Sequence, residues 1–250
     1  MSVHKKSREE IKLMKHAGNV VALVHQEMAK IIKPGVSTKY LDEAAYKIIK
    51  DNKCVPSFLG YNGFPASICA SVNSEVVHGI PSEDVILKEG DIISVDVGAT
   101  YRGLVGDGAW TYPVGEISDE LKMLLETTEK SLFAAIDKMR DGNLLDEVSG
   151  AVEDVAKSKN LGIVRQYGGH GVGRRMHEEP FVFNYRVGNS FVLKSGMTIA
   201  VEPMLNLGGD DVYTLEDNWT VVTKDDKPSA HFEHSIWVTD GEPEILTRLS

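Results

Sequence analysis

Asp96, Asp107, Glu202 and Glu233 stand where a strand-like context would bury them: Asp96 follows Ile92-Ile93-Ser94-Val95, and Glu202 follows Ile199-Ala200-Val201. A buried carboxylate without a partner is costly, or is driven to keep its proton. No array of basic residues accompanies these acids; Arg102 is the only one between Asp96 and Asp107. Two divalent cations would balance four negative charges. Oxygen ligands with one or two imidazoles suit Mn, Fe or Co and do not exclude Zn. Without a metal the same residues read as solvent-facing strand ends, the commoner fate of Asp and Glu.

His170 lies in the glycine-dense stretch Tyr167-Gly168-Gly169-His170-Gly171-Val172-Gly173. Glycines let the backbone curl and admit a ligand close to the chain. The stretch lacks the spacing of a dinucleotide fingerprint and the Lys-Ser/Thr of a phosphate loop, so the histidine is its chemical feature and a metal-ligand role is expected. His78 and His177 each precede a proline by three residues. An imidazole so placed can donate to a carbonyl or to a developing oxyanion; the alternative is a solvated turn histidine. His231 and His234 flank Glu233, and strand alternation is taken to point both away from the site.

These residues are embedded in a repeat. Leu87-Lys88-Glu89-Gly90-Asp91-Ile92-Ile93-Ser94-Val95-Asp96 is echoed by Leu193-Lys194-Ser195-Gly196-Met197-Thr198-Ile199-Ala200-Val201-Glu202. Each copy is a turn feeding a strand that ends in an acid. The His-x-x-Pro pair extends the echo, as do Asp107 before Trp110 and Glu233 before Trp237. Two half-molecules, roughly 1–142 and 143–250, with a site built between them, are implied.

The elements that must position the site follow the same order twice, helices then strands. Ser7-x-x-Glu10 is a capping box, followed by Ile11, Met14, Ala17, Val20, Val21, Val24, Met28 and Ile31 at helical spacing up to Pro34-Gly35. Thr38 is expected to cap a second helix. Strands are expected at 67–72, 75–78, 91–98 and 101–114. Two helices follow, one capped by Ser118 and one beginning after Asn143. Strands return at 163–167, 197–204, 212–223 and 231–239. This is an α+β architecture, with a central antiparallel sheet and helices on its outer face.

The 250 residues suffice for one large core or two modest ones, and no linker-like stretch marks a boundary, so 1–250 is read as a single catalytic domain. A net charge of −10 argues against a nucleic-acid or anionic-membrane partner held by bulk electrostatics. No apolar run approaches the ~20 residues that span a bilayer. The first residues run into charged helix rather than a secretory signal, and Cys54 and Cys69 fit packed thiols in a reducing cytoplasm.

The stretch YGGHGVGRRMHEEPFVFNY at 167–185 resembles the signature of type I methionine aminopeptidases. VDVGATYRGLVGDGAWTY, AVEPM, TLEDNWTVVT and FEHS occur in that family's order, and the resemblance covers nearly the whole chain. It implies a pita-bread fold of two pseudo-symmetric halves. It further implies two divalent cations (Co, Mn, Fe or Zn) held by Asp96, Asp107, His170, Glu202 and Glu233, with Asp107 and Glu233 bridging. The implied reaction is metal-assisted hydrolysis of the first peptide bond of nascent polypeptide N-termini bearing a small second residue. In it Glu202 accepts a proton, His177 stabilises the oxyanion and His78 lies near the scissile amide. Tyr61, Phe64, Met176 and Trp219, with Phe58 alongside, would form the methionine pocket.

Leu104-Val105, Met176 and Phe58 depart from the family's commonest residues, which bears on pocket shape and not on the ligands. A cytoplasmic monomer working transiently near the ribosome, with no nucleic-acid or membrane partner, completes the expectation. The rivals are a proline-directed pita-bread peptidase, a non-catalytic pita-bread binding protein and a nucleotide-binding protein.

Overall fold

The computed structural model describes residues 3–249. Helices α1 (Arg8–Ile31) and α2 (Thr38–Asp51) precede strands β1 (Val55–Pro56), β2 (Ile68–Val72), β3 (Glu75–Val77), β4 (Ile92–Tyr101) and β5 (Leu104–Pro113). Helices α3 (Asp119–Ile136) and α4 (Leu145–Lys157) then precede β6 (Gly162–Ile163), β7 (Gly169–Gly171), β8 (Glu178–Val182), β9 (Thr198–Val201), β10 (Met204–Asn206), β11 (Val212–Thr214), β12 (Val221–Thr223), β13 (Ser229–His231), β14 (His234–Trp237) and β15 (Glu244–Ile245). Every strand pairing among the described residues is antiparallel.

Each helix pair buries its apolar stripe on its own half. Val20, Val24 and Met28 of α1 join Leu41 and Ile49 of α2 against Ile93, Val95 and Val97 of β4. Leu124 and Leu132 of α3 and Val148 and Val152 of α4 pack on Ile199, Val201, Leu205 and Phe232. Full burial of one such side chain is worth about 1.5–3 kcal/mol. The expected capping box closes α1, with Ser7 N–H donating to Glu10 Oε2 at 2.8 Å and Glu10 N–H to Ser7 Oγ at 3.3 Å.

Two local expectations shift. The cap of α2 is Ser37, whose Oγ accepts from Tyr40 N–H; Thr38 is the first helical residue, and its hydroxyl instead donates to Ser82 O, tying α2 to the loop before β4. The later strands are shorter than the apolar runs suggested. The span 212–223 is two strands around a turn, and of 163–167 only Ile163 lies in a strand, with Val164 N–H adding one further bond to Met204 O.

The sequence echo is a structural one. Gly90 and Gly196 both have φ near +90°, which suits glycine, and donate to Val114 O and Val238 O, each at 2.9 Å. Leu87 and Leu193 donate to Val36 O and Asn143 O, and isolated bridges join Ser37 to Ile86 and Leu144 to Val192.

The strand registers complete the match. β4 and β5 form a continuous hairpin that pairs Asp96 with Ala109 and Gly98 with Asp107. In the second half Val201 pairs with His234 and Met204 with His231, in one unbroken register, so Glu202 stands across from Glu233 between them. The two ladders meet edge to edge. Ala109 and Glu233 exchange backbone hydrogen bonds of 3.3 and 2.8 Å. On one side of that pair Ser235 Oγ bonds both the N–H and the carbonyl of Asp107; on the other, Thr111 Oγ1 bonds both groups of His231. A pseudo-two-fold axis therefore passes through the Ala109–Glu233 pair. It relates Asp96 to Glu202 and Asp107 to His231, and so corrects the sequence echo that matched Asp107 with Glu233.

Candidate metal centre

Asp96 and Asp107 are diagonal neighbours on one face of the first hairpin, and Cys69 of β2 lies directly opposite Asp96 on that same face. β7 lays His170 beside Ala200, so the imidazole reaches the face from which Glu202 projects. His170 Nε2 is 3.4 Å from Glu202 Oε1 and 3.6 Å from Asp107 Oδ2. Prospective ligand atoms of Asp107, His170 and Glu233 lie within 4.8 Å of one another. All five residues named from the sequence line one cavity of about 720 Å³.

That cavity is electrostatically unbalanced. Burial pushes the Asp96 carboxyl up to about 7. Burial, then neighbouring Asp96, holds Asp107 well above the carboxylate range. Glu202 and Glu233 are raised in the same way, by burial first and then by Asp107 and the other acids. Asp96 Oδ1, Asp107 Oδ1 and Glu233 Oε1 are buried without hydrogen-bond partners. Orphaned carboxylate oxygens cost free energy unless something positive meets them. An oxygen-rich set with one imidazole fits hard or borderline divalent cations, and Nδ1 of that imidazole bonds Gly171 O at 2.9 Å, leaving Nε2 to face the acids.

His177 and His78 enter the same cavity. The His177 ring lies 4.3 Å from that of His170, and its Nδ1 is 2.9 Å from Tyr61 Oη. His78 sits at φ +61°, a strained position for a residue with a Cβ, edge-on to Tyr167 and Trp219. Burial, then His177, lowers His78 to about 4, and burial lowers His177 as well, so both are neutral imidazoles near pH 7.

Tyr61, Phe64, Met176, Trp219 and Phe58 line the cavity beside the acids, with Phe64 and Trp219 edge to face at 5.1 Å. Phe58 rests on Gly98, where an added Cβ would come within 2.7 Å of the ring. Leu104 and Val105 belong to the same apolar cluster but are not among the lining residues, and stand behind the wall.

Three residues escaped the sequence reading. Tyr167 backs His78, and Cys69, buried and free as expected, also lines the cavity. His231, expected to point away, lines it too: Nε2 is 3.7 Å from Glu202 Oε2 and 4.0 Å from Glu233 Oε2. Positions two apart on a strand share a face, so the alternation that excludes His234 includes His231. His234 does lie on the other side, where it bonds Thr247 and packs on Trp110 and Phe133.

Residues 12–240 match metallopeptidase family M24. The chain belongs to that family. It is 51% identical to methionine aminopeptidase 1 of Bacillus subtilis, over 98% of each chain. It superposes on the crystal structure of the Thermotoga maritima methionine aminopeptidase with a TM-score of 0.97 and 43% identity, covering 99% of this chain and 100% of that one. The Xaa-Pro dipeptidase of Bacillus anthracis shares only the fold, at TM-score 0.79 and 24% identity, and this chain covers 61% of it. As an M24 member the chain is a metal-dependent peptidase of pita-bread fold that binds divalent metal. No helix among its described residues is long and apolar enough to cross a membrane.

Proposed function

We propose that this chain is a methionine aminopeptidase that removes the N-terminal methionine from nascent proteins and peptides with a small second residue. The observation that carries the reading is the convergence of His170 and four acids from both halves, Asp107 and Glu233 buried and Asp96 and Glu202 partly buried, against an apolar wall of Phe64, Met176 and Trp219. Asp96, Asp107, His170, Glu202 and Glu233 would hold two divalent cations among Co, Mn, Fe and Zn. Bound divalent cations supply Lewis acidity, polarising a carbonyl and making water nucleophilic near neutral pH.

The chain's own residues do the rest. Phe64, Met176, Trp219, Tyr61 and Phe58 enclose an unbranched thioether side chain, and sulfur–aromatic contact favours it. Glu202, whose Oε1 lies 3.4 Å from His170 Nε2, takes the proton of the attacking water on a carboxylate oxygen. Tyr61 O–H donates to His177 Nδ1, which leaves Nε2–H to donate to the oxygen that gains charge. His78, fixed by Tyr167 and Trp219, meets the scissile amide. Residues 1–250 act as one catalytic domain, a cytoplasmic monomer that meets its substrates near the ribosome and has no nucleic-acid or membrane partner, in keeping with the net charge of −10.

The test is methionine release from Met-Ala-Ser and Met-Leu-Ser by metal-stripped protein with Co, Mn, Fe or Zn added back in turn. Metal-dependent cleavage of the first peptide and little of the second is expected. Equal cleavage of both, or activity that survives chelation, overturns the reading.

A further inference from the structure

We propose that His231 is a positioning residue of the metal pocket, its Nε2–H donating to Glu202 Oε2 and so aiming Oε1 at the side of the pocket held by His170. The inference rests on the dimetal reading above.

Three observations carry it. His231 is buried, at 1% exposure, and its Nε2 has no hydrogen-bond partner. A buried ring nitrogen left unmatched is costly, and the nearest groups that could satisfy it are carboxylate oxygens of Glu202 and Glu233 at 3.7 and 4.0 Å. The Glu202 carboxylate is thus flanked by two imidazoles, His170 at Oε1 and His231 at Oε2. A move of about 0.5–1 Å would bring the second pair to hydrogen-bond length.

The third observation is the pseudo-symmetry. His231 occupies the counterpart of Asp107: Met204 pairs with His231 as Gly98 pairs with Asp107, and in each case a hydroxyl of the other half bonds the backbone N–H and carbonyl. The fold therefore aims this position at the metal pocket. Asp107 belongs to the compact group of ligand atoms with His170 and Glu233, whereas His231 approaches carboxylate oxygens, where a neutral donor is useful and a fifth acid would add repulsion. Outer partners that orient a ligand are worth about 10–100-fold in metal affinity or activity.

The test compares His231→Ala, which removes the donor, with His231→Gln, whose amide can restore it. Calorimetric titration of the metal-stripped proteins with Mn is expected to show weaker binding of the first equivalent in H231A by about 10–100-fold, and recovery of most of it in H231Q. With Met-Ala-Ser, kcat should fall in H231A while KM stays near the wild-type value, as a misaligned base and not a lost pocket requires. In the Zn-loaded wild type, imidazole 15N shifts should show Nε2 of His231 protonated. Unchanged affinity and kcat in H231A, equal damage in both variants, or an Nε2 shift typical of a metal-bound nitrogen overturns the assignment. A wild type that binds metal with this pattern but releases no methionine would instead sink the function reading and leave the role of His231 standing.

Discussion

The two halves use one ladder register to different ends. In the first, β4 and β5 pair without a break over ten positions and close through Arg102-Gly103, with φ of +47° and +80°. In the second, the equivalent ladder is interrupted at Glu202-Pro203, where proline offers an acceptor but no N–H. It does not close in a tight turn either: between Asn206 and Ser229 the chain runs out through β11 and β12 and returns with Trp219 on the cavity wall. The first half is scaffold with two acids hung from it. The second spends its irregularity on the site, adding Glu233 where the first half has Ala109, and His231 where it has Asp107. Divergence at symmetric positions keeps the converging acids Asp96, Asp107, Glu202 and Glu233 from being joined by a fifth.

Replacing an acid on the scaffold side should have the largest effect. Asp107→Asn removes a member of the compact ligand group, and several kcal/mol of lost stabilisation, at about 1.4 kcal/mol per decade, implies a fall in kcat/KM of about 10³-fold or more. The metal-dependent rise in melting temperature should vanish with it. The metal-free variant should nevertheless melt above the metal-free wild type, because one of four mutually repelling carboxyls is gone. A metal-free D107N that melts lower would show that the acids do not strain the stripped protein.

A smaller effect is expected where the first half reaches across to the second. Before α1 the chain docks on the repeat loop of the other half through Lys6 N–H to Gly196 O, and the buried Lys6 ammonium pairs with Glu178 at 2.7 Å, beside His177. Lys6→Met strands a carboxylate that keeps only the N–H groups of Arg174 and Arg175. The loss should be about 3 kcal/mol in urea unfolding, with His177-dependent kcat falling as well. A neutral outcome would mean that the Lys6–Glu178 pair adds nothing to a join already made by the Ala109–Glu233 seam, the β3–β12 pairing and the Val105–Gly173 bond.

The pH dependence of the metal-free protein sharpens the same contrast. A carboxyl whose folded pKa is raised stabilises the fold below its unfolded value and loses that contribution as pH rises toward the folded one. Asp96 reaches this point at about 7, and Asp107, Glu202 and Glu233 are raised in the same direction by burial and by one another. The buried histidines 25, 78, 170, 231 and 234 work in the opposite sense, but only below their unfolded value of about 6.5. Melting temperature should therefore fall as pH rises past about 6.5 in the stripped enzyme, where the histidines no longer compensate. Added metal should remove the trend, since cations favour the ionised form.

Much of this was legible in the residues because turns and strand parity are local. The Leu-Lys-x-Gly loops, the α1 capping box and the acids carried on β4 and just past β9 follow from turn chemistry and alternation, although β4 runs on beyond Asp96 to Tyr101. Register across the seam is not local. Matching Asp107 to Glu233 by their distance from a tryptophan failed because the axis is set by hydrogen bonds between Ala109 and Glu233, which no spacing within one strand encodes. His231 was lost to a parity miscount. Strands at 163–167 and 212–223 were overextended because residues there are apolar or β-branched for reasons other than pairing, Val164 in a satellite core and Trp219 on the cavity wall.

The mildest contrast lies at the matching starts of α2 and α4. Both follow a bridge to the repeat loop, but α2 is capped by the neutral Ser37 hydroxyl at 3.2 Å, whereas at α4 the Glu147 carboxylate accepts from Leu144 N–H at 2.8 Å. Ser37→Ala should cost about 1 kcal/mol, by loss of one cap bond. Glu147→Gln keeps an acceptor and removes only the charge beside the positive helix end, so it should cost about 0.3–0.5 kcal/mol at low ionic strength. The two part company in salt. At 1 M the screening length is about 3 Å, so the Gln penalty should disappear while the Ala penalty persists. If both losses survive salt, the charge at α4 contributes nothing beyond its hydrogen bond, and the two helix starts are equivalent after all.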